Sequence, residues 1–225
     1  MKRIKMTVAY DGTAYCGWQL QPNGVTIEEI LNRTLSDLLK EPVCVTGASR
    51  TDSGVHALGN VAVFDTESRI PGNKICFALN QRLPEDIRAL SSEEVPPDWH
   101  PRKQNCIKTY EYKILNCRVD VPTRRLYAHF CYFPLDMDKM RKAASYLVGE
   151  HDFKSFCTAR GQAEETVRTI YSLDIEKAGG KALVYAAFSE PDIHQNLLTD
   201  MILYSKKFTA DMNVMLLHEL GLPET

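Results

Sequence analysis

The feature that most restricts the fold is a change of hydrophobic period that the chain makes twice in the same order. Ile4 to Tyr10 alternates apolar and polar residues and is rich in β-branched types, so it reads as a strand ended by Asp11-Gly12-Thr13. Thr26-Ile27-Glu28-Glu29 then has the capping-box pattern, and Ile27, Ile30, Leu31, Leu35, Leu38 and Leu39 recur at helical spacing until Pro42. Val43 to Thr46 and Asn60 to Phe64 return to strand. Further on, Lys108 to Leu115 alternates with Tyr110, Tyr112 and Ile114 on one face, and Asp138 to Val148 is helical with Met140, Ala143, Ala144 and Leu147 inward. Thr166 to Ile175 is again a strand, and Ala178-Gly179-Gly180-Lys181 turns into Ala182 to Phe188. This repetition predicts an α+β fold: two similar α+β halves sharing a mostly antiparallel sheet, with helices packed on one face. The expected boundaries are 1–107 and 108–188. In the remaining tail, 189–225, apolar runs at 197–203 and 212–217 predict two short helices, the second closed by Gly221.

Of the 225 residues, 44% are hydrophobic and 25% charged, which excludes disordered and collagen-like chains. No apolar stretch approaches the roughly 20 residues of a membrane span, and Met1-Lys2-Arg3 leads into a strand pattern, so a soluble cytoplasmic protein without a membrane partner is expected. Seven cysteines with no C-x-x-C pair suit reduced thiols better than disulfides or a zinc site. A net charge of -2 argues against nucleic-acid binding by bulk charge, although the distribution is uneven: residues 169–225 hold 4 Lys/Arg against 8 Asp/Glu, and no arginine follows Arg168.

Three familiar patterns fail on their chemistry. Gly12 to Gly17 has phosphate-loop spacing but continues into Trp18 where a lysine is required, and Asp11-Gly12-Thr13 has Ala9 where a D-x-D-G-T nucleophile would stand. His218-Glu219 has Leu222 in place of a second zinc-binding His. No metal or organic cofactor is therefore expected. The segment that survives is Gly47 to Gly59, which packs glycines, Arg50, Asp52 and His56 between two strands. On spacing alone, an Asp two residues after an Arg suits a solvated turn as well as a reactive site.

Gly47-Ala48-Ser49-Arg50-Thr51-Asp52-Ser53-Gly54-Val55-His56-Ala57 resembles the G-x-G-R-T-D-x-G-V-H-A signature of the TruA family of tRNA pseudouridine synthases. Tyr10-Asp11-Gly12-Thr13 through Gly17-Trp18-Gln19-Leu20-Gln21 resembles that family's opening motif. Leu79-Asn80, Leu83 to Ile87, Trp99 to Arg102, Lys108 to Tyr112, His151-Asp152-Phe153 and Thr166 to Ile170 follow in family order. The resemblance covers roughly residues 1 to 188. It implies a pseudouridine-synthase-like fold and isomerisation of uridine to pseudouridine at positions 38 to 40 in the anticodon stem-loop of tRNA, without metal or cofactor, by a homodimer. It makes Asp52 the catalytic aspartate and Tyr110 the aromatic that stacks on the target base. Arg50 helps to hold the flipped nucleotide, and Thr51 and His56 join the substrate-binding set. Reaching a stacked uridine costs a few kcal/mol, offset by such stacking and a cation.

Two departures stand out. Ser49 replaces a family glycine, a minor change only where φ is negative. After the hairpin the family's N-x-F-L-Y-x-M-V-R strand is missing, and with it an arginine that lies beside the catalytic carboxylate. A second reading is therefore a weakly active or inactive RNA-binding relative, or a truncated or frame-shifted product. An unrelated Asp-dependent hydrolase is disfavoured by the lack of a second carboxylate, metal ligands or a phosphate loop.

Overall fold

A computed structural model describes residues 1–104, 106–156, 166–178, 181–190 and 214–220. The chain forms two compact units, Met1–Gln104 and Asn105–Thr225. Each is α+β and built on antiparallel strands, as the double change of period predicts.

In the first unit β1 (Lys2–Tyr10) buries every second residue, Ile4, Met6, Val8 and Tyr10, which is the pattern of a strand with one face on a core. The helix α1 (Ile27–Leu39) begins where the capping box places it: the Thr26 side chain accepts from the backbone N–H of Glu29 at 3.3 Å. Its buried face is Ile27, Ile30, Leu31, Thr34 and Leu35. It stops at Lys40, in the left-handed conformation with φ 60°, ahead of Pro42.

Here the expected strand Val43–Thr46 shrinks to β2 (Thr46–Gly47). The reason is local: Val43 donates its N–H to Ser36 Oγ at 2.9 Å and Val45 to Asn32 Oδ1 at 2.7 Å, so α1 consumes the donors that a ladder needs. The next strand, β3 (His56–Thr66), starts four residues before Asn60, so the last part of the Gly47–Gly59 segment is strand and not loop. A short helix α2 (Ile75–Asn80) and the edge strand β4 (Ile87–Val95) complete the unit, in the order β4-β1-β3 with β2 on β3. The Asn80 side chain pairs both ways with the backbone of Ala89 at 2.8 Å, which pins α2 to β4.

The second unit contains β5 (Cys106–Asn116), β6 (His129–Cys131), α3 (Met137–Ser145), β7 (Gly149–Asp152), β8 (Val167–Ala178), β9 (Lys181–Glu190) and β10 (Val214–Leu220). Its order is β10-β5-β9-β8-β7, all antiparallel, with β6 parallel to β5. α3 is shorter than its pattern suggests, and Ala143, expected inward, is exposed while Ala144 is buried. The tail carries the larger correction. Residues 214–220 form a strand and not a helix, with Val214 opposite Tyr112 and Leu220 opposite Cys106. So short an apolar run has no period long enough to separate helix from strand, and pairing with β5 decides. The predicted helix at 197–203, Gly221, and the Gly179-Gly180 turn lie outside the described residues; Ala178 and Lys181 pair across that turn. No helix among the described residues is long and apolar enough to cross a membrane.

Candidate active site

Between β2 and β3 the chain turns at Asp52–Val55, where the Asp52 carbonyl accepts from the Val55 N–H at 3.2 Å. Gly54 occupies the third position with φ +79°, a conformation that costs any other residue about 1–2 kcal/mol. Asp52 and Arg50 are half-buried, and the Arg50 guanidinium makes no hydrogen bond or ion pair among the described residues.

The turn is held from below by the segment that follows β1. Trp18 N–H donates to the Thr51 carbonyl at 2.9 Å, and Tyr15 O accepts from both Gly54 N–H and Ser53 Oγ at 3.2 Å. These bonds require close approach of two backbones, and glycines provide it. A Cβ on Gly17, itself at φ +83°, would lie 2.5 Å from the Thr51 oxygen, and one on Gly12 would overlap the Val55 carbonyl. The Gly12 N–H lies 3.2 Å from His56 Nδ1, which also stands 3.0 Å from Asp11 Oδ1. The glycine spacing that mimics a phosphate loop thus serves to seat one loop on another.

Side chains lock the other flank. Tyr10 OH and Thr51 Oγ1 are 2.7 Å apart, and Asn60 Nδ2 donates to the Ser49 carbonyl at 3.0 Å. Burial pushes the Tyr10 phenol well above its ordinary value, so its proton stays in place for hydrogen bonding. Asp86 ties the cradle to β4, accepting from the Asp11 N–H at 2.9 Å through its backbone and from Tyr15 OH at 2.6 Å through its carboxylate. Arg102 Nε reaches the Gly47 carbonyl at 3.1 Å. Ser49 has no positive φ, so the change from glycine carries no backbone strain, although its buried Oγ has no partner among the described residues.

Of the residues singled out from sequence, Arg50, Thr51, Asp52 and His56 stand together in this one turn of the first unit. Thr51 and His56 are buried and bonded to the cradle. Tyr110 lies on β5 of the second unit, buried at 7% exposure between Lys108 and Tyr112 on the same face. Tyr112 stacks on His129 at 6.4 Å between centroids. Pattern reading missed Tyr10, Asn60, Asp86 and Arg102 as supports of the turn; the trace of Tyr10, Asp86 and Arg102 was their place in the successive motif blocks, and that of Asn60 only its place at the start of an expected strand. No group of three His, Cys, Asp or Glu side chains among the described residues is arranged to hold a metal ion.

A family model described as tRNA pseudouridine synthase matches residues 6–102 and 143–210. The class is that of the pseudouridine synthases, and the match runs past residue 188, where the motif reading ended. Proteins named tRNA pseudouridine synthase A are similar over most of their length. The one from Thermoanaerobacter sp. (strain X514) is 44% identical over 177 residues, 79% of this chain and 72% of its own. That from Brevibacillus brevis is 46% identical over 184 residues, covering 82% and 75%. A Clostridium perfringens protein named tRNA pseudouridine synthase A 2 is 44% identical over 187 residues, covering 83% and 77%. The chain belongs to the TruA family of tRNA pseudouridine synthases. Among solved structures, an archaeal box H/ACA Nop10-Cbf5 complex aligns with 12% identity and a TM-score of 0.41, over 96% of this chain and 48% of that one, so this chain spans about half its length.

Proposed function

We propose that this chain isomerises uridine to pseudouridine in the anticodon stem-loop of tRNA, at positions 38 to 40, with Asp52 as the catalytic carboxylate. In this reaction the N1–C1′ glycosidic bond breaks, a C5–C1′ bond forms, and the hydrogen lost from C5 is balanced by one gained at N1. Atoms balance without an oxidant or a leaving group. What the protein must supply is a carboxylate held at the sugar and base, as nucleophile or as proton acceptor, and a means of keeping the uridine out of the stack.

The observation that carries the reading is the clamping of the Asp52 turn on both flanks, by Trp18 and Tyr15 on one side and Asn60 and Tyr10 on the other. The opening motif and β3 both bond to that turn, an arrangement expected of a loop that positions a reacting group to within about 0.5 Å. Arg50, with its guanidinium uncommitted among the described residues, fills the space a flipped nucleotide leaves, and Tyr110 stacks on the base. Thr51 and His56 serve by holding the turn. The protein acts in the cytoplasm as a homodimer; support for this reading comes from the family resemblance.

The inactive alternative rests on the sequence beyond residue 188 and is not favoured, because the family model continues to residue 210. The test is to incubate the protein with unmodified tRNA and map pseudouridine by carbodiimide labelling and primer extension. Asp52→Asn keeps size and removes charge, so it should abolish product while leaving tRNA affinity nearly unchanged. Substantial turnover by that variant refutes the assignment.

A further inference from the structure

We propose that Tyr10 and Asn60 are positioning residues of the isomerisation, a buried relay that fixes the backbone on both sides of Arg50 and thereby aims Arg50 and Asp52. The inference rests on the function proposed above and adds two residues that touch no substrate.

The geometry is specific. Asn60 is fully buried on β3 and Tyr10, at 4% exposure, ends β1. Asn60 turns both ends of its amide to one residue: Nδ2 donates to the Ser49 carbonyl at 3.0 Å, and Oδ1 accepts from the Ser49 N–H at a longer 3.4 Å. The second Nδ2 hydrogen lies toward Tyr10 OH at 3.5 Å, and that hydroxyl shares a hydrogen bond with Thr51 Oγ1 at 2.7 Å in which either oxygen can donate. Ser49 and Thr51 are the neighbours of Arg50. With both held, the backbone at 50 has little freedom, and Asp52 follows one residue beyond a fixed point.

The ladder itself is bent to allow this. Val8 pairs with Asn60 but Tyr10 with Ala57, so β3 carries an extra residue between those pairs. Such bulges re-aim side chains and recur beside active sites. Without the bulge, Tyr10 would face Leu58, and its hydroxyl would not meet Thr51. Fold stability gives a reason for Asn60, whose amide satisfies the buried Ser49 backbone, but none for the polar Tyr10–Thr51 pair. A Phe and a Val of the same shape would fill this space, and replacing both partners of a buried hydrogen bond by apolar groups is close to neutral. The polar pair earns its place by fixing one geometry, and misplacing a reacting group by 1 Å costs about 100-fold in rate.

The experiment uses the full chain and unmodified transcribed tRNA, with single-turnover rates at saturating enzyme and separate binding constants. Tyr10→Phe keeps the ring packed against Trp18 and removes only the hydroxyl. It should slow turnover roughly 10- to 100-fold with affinity changed less than about twofold. Thr51→Val should do the same from the other end, Thr51→Ser should restore the rate, and Tyr10→Phe/Thr51→Val should be no slower than the slower single variant. If Tyr10→Phe fails to fold, the Thr51→Val and Thr51→Ser pair decides the question alone. Wild-type rates in Tyr10→Phe and Thr51→Val overturn the inference, as does a rate loss that tracks the folded fraction or the affinity. A wild-type chain that leaves tRNA uridine unconverted instead overturns the proposed function, and the inference with it.

Discussion

Gly17→Ala tests whether the cradle beneath the Asp52 turn is needed as built. Two costs add at this position. Gly17 has φ +83°, which an alanine adopts at about 1–2 kcal/mol. The new methyl would also stand 2.5 Å from the Thr51 carbonyl oxygen, 3.1 Å from the Asp52 carbonyl carbon and 3.3 Å from Ser53 N, all backbone atoms. Ordinary contact begins at 3.4 Å, so the turn must retreat by about 0.9 Å. That stretches the Trp18 N–H to Thr51 bond past useful length and moves Asp52 by a similar distance. Gly54→Ala provides the control: it shares the left-handed backbone, at φ +79°, but its methyl meets nothing within 4 Å. Gly54→Ala should therefore lose only the conformational term, about 1–2 kcal/mol, whereas Gly17→Ala should lose about 2–4 kcal/mol. The displacement should also lower turnover by Gly17→Ala about 100-fold beyond any loss of folded protein. Urea unfolding at 25 °C measures the first quantity and carbodiimide mapping of tRNA, corrected for folded fraction, the second. Equal stability losses in the two variants, or a Gly17→Ala enzyme that works at the wild-type rate, would refute the steric argument.

Three further perturbations probe the base platform, an ion pair and the core. Tyr110→Ala should weaken tRNA binding by roughly 1–3 kcal/mol while Tyr110→Phe keeps it, read by filter binding; an Ala variant that loses binding only as it unfolds would show a core tyrosine instead. Asp65, gripped by both arms of Arg3 at 2.7 and 2.8 Å, has its carboxyl held below the usual range by that hydrogen-bonded guanidinium. The pair's contribution is thus present above the unfolded value near pH 4 and disappears as pH falls through the depressed folded value. Because both partners are partly solvated, Asp65→Asn should cost no more than about 1 kcal/mol at pH 7 and progressively less as pH falls through the depressed folded value, by urea titration. Leu31→Ala, on the buried face of α1, should cost about 2–5 kcal/mol in the same assay without altering turnover per folded molecule.

What sequence made legible here divides by range of interaction. β1 and α1 came out within two residues of their observed ends because alternation, capping and a stop signal are all local. Val43–Thr46 and 214–220 went wrong where a partner decides: side chains of α1 take the donors of the first, and β5 recruits the second into a strand. The site divides in the same way. Arg50, Thr51, Asp52 and His56 are neighbours in sequence, so a motif finds them together. The residues that hold them are not. Tyr10 lies 41 positions from Thr51, Arg102 lies 55 from Gly47 and Asp86 lies 71 from Tyr15, and nothing about a lone Tyr, Arg or Asp marks it as a support. Yet these three fall within blocks that share the family's order. The strict spacing inside those blocks has a mechanical cause: Gly12 and Gly17 must meet Val55 and Thr51 at the same time, so neither segment can gain or lose a residue without lifting the other. The glycines that mimic a phosphate loop leave room for Trp18 and Tyr15 to bond to the Asp52 turn, which makes the opening motif and the catalytic signature two halves of one structural element.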